Sequence, residues 1–314
     1  MTQTLPAAVH APPPPPRARP VRRGRALAAA SVLLAVWVLL GMLPGQVGAL
    51  VAATLPWVGA AIALAVVLTA LLARRAVLVP LAAGVVWLVA MIPALPALPG
   101  SGTGALTVAS QNVQANSGGV AASARTLMDT GAQIVTLTEL DGESGAVADE
   151  LLGQRFAYSY RIGTVGVWSA YPLVDMEPLD LGLGWNRALR VVADTPAGPV
   201  SVYLIHAASL RPGEQHARDT MLSALADEIA ADDADRVLAV GDFNATPTDP
   251  ALGPLRASAD WVRPTEAGLG LTWPAPFPLA RIDQVFERGL SVVSSTAVRA
   301  GASDHLATLT TVDF

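Results

Sequence analysis

The sequence contains no cysteine. That excludes a disulfide framework, a thiolate zinc site and a cysteine nucleophile, and leaves the compartment open. Acidic residues are missing from its first hundred positions, which hold seven Arg and no Lys, Asp or Glu. The rest of the chain holds the other 13 Arg and all 25 acids, so the two parts carry +7 and −12.

Charge of either sign is also absent from Ala26 to Ala73. That stretch is long enough for two membrane spans of about 20 residues each. "LPGQVG", residues 43 to 48, supplies the turn between them. Arg74 and Arg75 interrupt, and a third apolar run follows from Ala76 to about Leu95 before the Pro-spaced exit "PALPALPG". The first run is longer than the apolar region of a cleaved signal, about 7 to 15 residues, and two more runs follow it, so it reads as a retained span. Upstream, "PPPPPRARPVRRGR" predicts an extended, disordered basic tail over residues 1–25. The arginines place that tail and the Arg74–Arg75 loop on the cytoplasmic side. Three spans then put the region after residue 98 outside the cytoplasm. Trp37, Trp57 and Trp87 suit either interfacial anchoring or packing between helices. The expected division is therefore a tail (1–25), a membrane domain of three transmembrane helices (26–98) and an extracytoplasmic domain (99–314).

Past Gly100 the pattern changes. "ALTVASQNV" reads as a strand ending at Asn112, "VAASARTLMDTG" as a helix closed by Gly131, and "QIVTLTEL" as a strand with Glu139 at its end. "VGVWSA", "RALRVVAD", "PVSVYLIHAAS", "DRVLAVGDFN", "ARIDQVF", "LSVVSSTAV" and "HLATLTTV" are further strands. Residues 214–231 form a helix with Met221, Leu222, Leu225 and Ile229 on one face. Many strands with few helices predict an α/β fold of two packed sheets with helices outside.

Polar residues recur where apolar runs stop: Asn112, Glu139, His206, then Asp242 and Asn244. In an extended chain, side chains two apart point the same way, so Asp242 and Asn244 would face one site while Phe243 enters the core. Turn chemistry alone explains one such step, but not its recurrence at four strand ends. Asp304 and His305 are adjacent and need the irregular backbone that Gly301 and Ser303 provide to serve one site. Asp283 lies in an apolar run, where a lone carboxylate is costly. It is either in an ion pair near Arg281 or orienting a histidine. Arg187 and Arg190 are within reach of a phosphate or simply solvated. His216 reads as a surface residue and His10 belongs to the tail.

These segments, "SQNVQAN", "IVTLTEL", "LIHAAS", "GDFNATP", "RIDQVF" and "SDH", stand in the order found in the endonuclease/exonuclease/phosphatase superfamily, which the chain resembles over about residues 104–314. The resemblance implies a four-layer α/β sandwich of two mixed sheets flanked by helices. It implies a metal-dependent hydrolase of phosphate ester bonds. On this likeness Glu139, Asn112 and Asp304 hold a divalent cation. Asp242 and Asn244 position the attacking water and the phosphoryl group. His305, oriented by Asp283, contacts the phosphate, and His206 stabilises phosphate charge or protonates the leaving oxygen. The pattern departs at "SAYP", where Ala170 replaces an arginine, at Thr138 before Glu139, and at Gly131-Ala132. Oxygen ligands without cysteine favour Mg²⁺ or Mn²⁺.

The expected function is a membrane-anchored phosphoesterase acting outside the cytoplasm. Candidate substrates are phospholipid headgroups, small phosphodiesters and nucleic acid. The domain charge of −12 disfavours a polyanion. A catalytically inactive binding module on the same fold is the alternative, and eight matching polar positions argue against it.

Overall fold

A computed structural model describes residues 19–211 and 215–314. Three apolar helices come first: α1 (Arg19–Leu40), α2 (Gln46–Leu72) and α3 (Leu78–Met91). Short 3-10 turns on either side extend α3 to a continuous apolar segment, Arg74–Ala94. All three segments are long and apolar enough to cross a membrane. Leu33, Leu71, Leu78 and Val85 are 63 to 76% exposed on them, an uncovered apolar area that suggests membrane association. Trp37 and Trp87 donate to Thr54 Oγ1 (2.9 Å) and Leu55 O (2.6 Å), so both tie helix to helix. Trp57 instead reaches out of the bundle. Residues 19–25, expected to be extended, are instead helical, because α1 starts at Arg19. Pro20 falls in its first turn, where a missing N–H is tolerated, and no proline follows before Pro44. Residues 1–18, with His10, lie outside the described part.

The remainder forms two six-stranded mixed sheets. The strands of the first are β1 (Leu106–Asn112), β2 (Ile134–Thr138), β3 (Tyr158–Ile162), β4 (Val165–Ser169), β11 (Ser291–Val298) and β12 (Ala307–Asp313), in the order β11-β12-β1-β2-β4-β3. The second runs β5-β6-β7-β8-β10-β9, from β5 (Leu173–Leu179), β6 (Ala188–Thr195), β7 (Gly198–His206), β8 (Val237–Asp242), β9 (Asp260–Trp261) and β10 (Asp283–Arg288). Only β1–β2 and β7–β8 pair in parallel among these strands. The inner faces close on each other through Val108, Ile134, Val202, Leu204, Leu238 and Val240. Helices α4 (Val120–Asp129) and α5 (Gly142–Leu152) cover the outer face of the first sheet. Helices α6 (Gln215–Ala231) and α7 (Gly253–Ser258) cover that of the second. These are the four layers expected. Residues of β8 alternate between the two cores, Val237 and Ala239 outward, Leu238 and Val240 inward. A strand covered on both faces reads as one apolar run.

Five elements were not legible: α5, α7, β3, β5 and the two-residue β9. Helix α5 opens with a capping box in which Asp141 accepts from Ser144 N at 2.7 Å, but its glycines and charges hide the apolar stripe. Strands β3 and β5 are sheet edges with mostly exposed or half-exposed residues. An edge needs no alternating apolar face and tolerates the proline at Pro178.

Candidate active site

Parallel strands leave a sheet at the same end. Asn112 closes β1 opposite Thr138, the residue before Glu139. His206 closes β7 opposite Asp242, which in turn pairs with Asp283 at the start of β10. Gly241 makes this possible: its φ is 131° and a Cβ there would lie 2.1 Å from Ile205 O. The turn before β12 adds Asp304 and His305. Its Gly301 has φ 60°, and a Cβ would meet the Ser123 nitrogen at 2.6 Å. Ser303 Oγ donates to Asn112 O (2.6 Å) and accepts from His305 N (3.0 Å). This is the irregular backbone that adjacent site residues require.

Backbone in the left-handed region gathers here. Glu139 (φ 61°), Asn244 (φ 48°), Gln114 (φ 58°) and Asn116 (φ 59°) are four of the five such non-glycine residues among those described. Left-handed backbone is unfavourable for these residues and persists where surroundings enforce it. It also corrects one expectation. Asp242 and Asn244 do not share a site through strand alternation, because the strand ends at Asp242. Asn244 N instead donates to Asp242 Oδ1 at 2.9 Å, a side-chain turn that folds Asn244 back until its Nδ2 is 3.4 Å from Asp242 Oδ2. Phe243 does enter the core, against Phe286.

Asn112 Nδ2 bridges two carboxylates, Glu139 Oε1 at 2.9 Å and Asp242 Oδ2 at 3.0 Å. His206 Nε2 lies 3.4 Å from Glu139 Oε1 and contacts the Arg187 guanidinium. His305 Nδ1 meets Asp283 Oδ2 at 2.9 Å, and its Nε2 points to Asp242 Oδ2 at 4.0 Å. Of the two expectations for Asp283, the geometry is that of a carboxylate orienting a histidine. Asn244 Nδ2 also donates to Ala207 O (3.0 Å). Asp304 lines the same cavity, with Trp273 Nε1 3.2 Å from its Oδ2.

Charges in the cluster conflict. Burial drives the Asp242 carboxyl up to about 7; Asp283 adds to the shift and His305 opposes it. Burial alone would lower His305, but the charge and hydrogen bond of Asp283, with Asp242 and Asp304, push it up to about 9. His206 is held well below its ordinary value by burial, then by the positive charges of Arg187 and His305. The surroundings thus favour the cationic form of His305 and the neutral form of His206. His206 Nδ1 and Arg187 Nε are buried without a hydrogen-bond partner among the described residues.

The structure brings Asn112, Glu139, His206, Asp242, Asn244, Asp283 and His305 together, with Asp304 at the cavity wall. It also supplies residues that the sequence did not single out. Gln111 Nε2 donates to Ala300 O (2.7 Å) and His305 O (3.2 Å), holding the histidine turn. Buried Arg218 donates to Asn244 O at 3.0 Å and pairs with Asp249 at 2.9 Å. Gln114 Oε1 accepts from Asp304 N at 3.2 Å. Gln111 and Gln114 are signalled only as long polar side chains within a motif, and Arg218, inside α6, by nothing local. Arg190 turns away from the site, to Asp232 and Glu177. His216 is exposed, as expected.

Residues 109–305 match the family model described as Endonuclease/Exonuclease/phosphatase family. The chain belongs to that family. It is therefore a hydrolase of phosphate ester bonds. No curated protein matches the sequence. Solved structures share the fold. Danio rerio TDP2 complexed with a single-strand DNA product superposes with TM-score 0.57 at 16% identity, covering 67% of this chain and 99% of its own. Staphylococcus aureus beta toxin gives 0.52 at 14%, with 65% and 99% covered. An endonuclease/exonuclease/phosphatase from Beutenbergia cavernae gives 0.52 at 20%, with 67% and 71% covered.

Family members depend on a divalent metal, and the donor set fits one. Ligand atoms of Glu139, His206 and Asp242 lie within 4.8 Å of one another, as do those of Asp242, Asp283 and His305. A buried carboxyl driven up beside other acids, as Asp242 is, is what a cation relieves. Asn112 presents its amide nitrogen to the carboxylates and accepts from Gln114 N through its oxygen at 2.9 Å. In this arrangement it joins the two acids as a donor.

Proposed function

We propose that the chain is a membrane-anchored, divalent-metal-dependent phosphoesterase whose catalytic domain lies outside the cytoplasm. The observation that carries the reading is the meeting of Glu139, Asp242, Asn244 and the Asp283–His305 pair at the shared end of both sheets. Glu139 and Asp304 would hold Mg²⁺ or Mn²⁺, and Asn112, rather than being a ligand itself, would fix the Glu139 carboxylate beside the ion through its Nδ2. Such an ion supplies charge neutralisation at the phosphoryl oxygens. Asp242, with a carboxyl near 7, is tuned to take a proton from the attacking water at neutral pH. Asn244 offers an amide to the phosphoryl group and keeps its place through Ala207 O. Cationic His305, held by Asp283, donates to a non-bridging oxygen. His206, held toward its neutral form, would stabilise the phosphate indirectly, by keeping the Arg187 guanidinium beside Glu139 through its Nε2. The same neutrality disfavours its role as the acid for the leaving oxygen.

A nuclease reading has a neighbour in its favour, since the Danio rerio structure holds DNA. The acidic balance of this domain opposes it, because polyanion affinity rests on phosphate neutralisation by basic residues. The test is hydrolysis of bis-p-nitrophenyl phosphate by the full chain in detergent. Mg²⁺ or Mn²⁺ should support turnover and EDTA should stop it. Turnover unaffected by EDTA would reject the metal-dependent reading. For topology, a reporter fused after Phe314 should be active only outside the cytoplasm and one fused after Arg75 only inside. The reverse would overturn the placement drawn from the arginines.

A further inference from the structure

We propose that helix α2 is a wall of the active site, and that the substrate is a phosphoester carried on a lipid of the leaflet around that helix. The inference rests on the phosphoesterase reading above. The catalytic cavity, of about 510 Å³, is bounded on one side by Glu139, Asp242, Asn244 and His305, and on another by Ala49, Leu50 and Ala53 of α2. Ala49 and Ala53 are one turn apart and share a helix face. Their single methyl groups leave the cavity open where any larger side chain would enter it. Leu50, half exposed, stands at its edge.

This wall is fixed in place. Thr248 Oγ1 donates to Ala52 O at 3.3 Å, and Trp57 Nε1 donates to Leu279 O at 3.0 Å. Both contacts join α2 to segments that flank the catalytic turns. Ala52 and Leu55 are buried.

Length sets the depth. Twenty-seven residues of α2 span about 40 Å, against about 30 Å of hydrocarbon. One or two turns therefore stand at headgroup level. Ala49 lies in the first turn of the helix, on the side of the chain where α3 leads into the catalytic domain. The cavity then begins where lipid phosphates lie. The opposite rim agrees. Residues Leu271 to Ala280 carry no charge. Phe277 is 69% exposed and Trp273 39% exposed. Trp273 donates to Asp304 and Leu279 accepts from Trp57, so one uncharged segment links the cation-ligand candidate Asp304 to helix α2. Arg211 lines the cavity as a cation for a phosphate.

The test uses the full chain in mixed micelles and compares two rates, headgroup release from a phosphatidylglycerol–phosphatidylcholine mixture and hydrolysis of soluble bis-p-nitrophenyl phosphate. Wild type should favour the lipid by at least about tenfold in kcat/KM, and Ala53→Leu should reduce that preference by about tenfold. Phe277→Ser, which alters the rim and leaves the cavity unfilled, should raise the apparent KM for lipid by about fivefold with kcat kept. Size-exclusion and tryptophan fluorescence check folding. If both variants lower the two rates in proportion, α2 and the rim are only structural and the proposal falls. Turnover of the soluble diester without any lipid turnover overturns the lipid inference and leaves the phosphoesterase standing. Turnover of neither substrate overturns both.

Discussion

Two buried polar clusters in this molecule have opposite electrostatic character. On the outer face of the second sheet, Asp232 accepts from Arg190 Nε (3.0 Å), Ser201 Oγ (2.6 Å), Tyr203 OH (2.8 Å) and Ala234 N (2.9 Å). Burial would raise its carboxyl, but those donors outweigh it and hold it far below the usual carboxylate range. At the other cluster Asp242 faces Asp283 and its carboxyl is driven up to about 7. The first network is satisfied by its own residues and serves the fold. The second is left in conflict beside a cavity, which is the signature of a site completed by a charge from outside. Burial alone does not separate them; the balance of donors and acceptors does.

The largest expected effect tests that contrast directly. Asp242→Asn should lower phosphodiester turnover by about 10²–10⁴-fold, with a thermal unfolding temperature equal to or above wild type, since a conflicting charge is removed. Near-normal turnover would reduce the Asp242 turn to local geometry and erase the difference between the clusters. Asp232→Asn should do the reverse. It leaves Arg190 without its main partner, and should destabilise by about 2–4 kcal/mol in urea unfolding, toward the lower end because Arg190 is partly exposed. Turnover per folded molecule should stay at the wild-type level. A selective loss of turnover would make the network part of the site.

Acid and alkali should separate the clusters next. A raised histidine contributes stability that is full below its ordinary value, 6.5, and lost as pH rises through about 9. A raised carboxyl subtracts stability as it ionises between 3.8 and about 7. The carboxyl term weakens the metal-free fold up to about pH 7 and the histidine term from about 6.5 to 9, the latter on the order of 3 kcal/mol for a shift of the His305 size. Asp232, whose carboxyl is depressed, contributes above its unfolded value and is lost only as pH falls below it. Thermal unfolding in EDTA should therefore show a decline above neutrality that Asp283→Asn diminishes and saturating Mg²⁺ flattens. A decline that Mg²⁺ leaves untouched would separate the conflict from the cation. The smallest expected effect is Trp273→Phe. It removes one partly exposed donor from Asp304, worth about 1 kcal/mol, and should raise the Mg²⁺ concentration needed for half-maximal turnover several-fold.

Much of this was legible because it depends on local pattern. Apolar runs of membrane length, strands that read as continuous apolar segments, and polar residues at their ends are properties of neighbouring residues. Asn112, Glu139, His206, Asp242 and His305 could be picked out from that pattern and its resemblance to a known family. The edge strands β3 and β5 escaped because an edge lacks the buried face that makes a pattern. Gln111 and Arg218 escaped because a hydrogen bond to the backbone of a distant turn leaves no periodic trace.

The sequence by itself determined the three apolar helices, the two-sheet architecture and the identity of the polar groups, since all follow from side-chain chemistry repeated along the chain. Only the tertiary structure decided that His305 is pushed toward its charged form and His206 toward its neutral one, that Asn112 ties Glu139 to Asp242, and that α2 borders the cavity. Those properties arise from distance and burial between residues far apart in the chain. A pKa follows the charges around a group and the water it has lost, and residue order along a chain specifies neither.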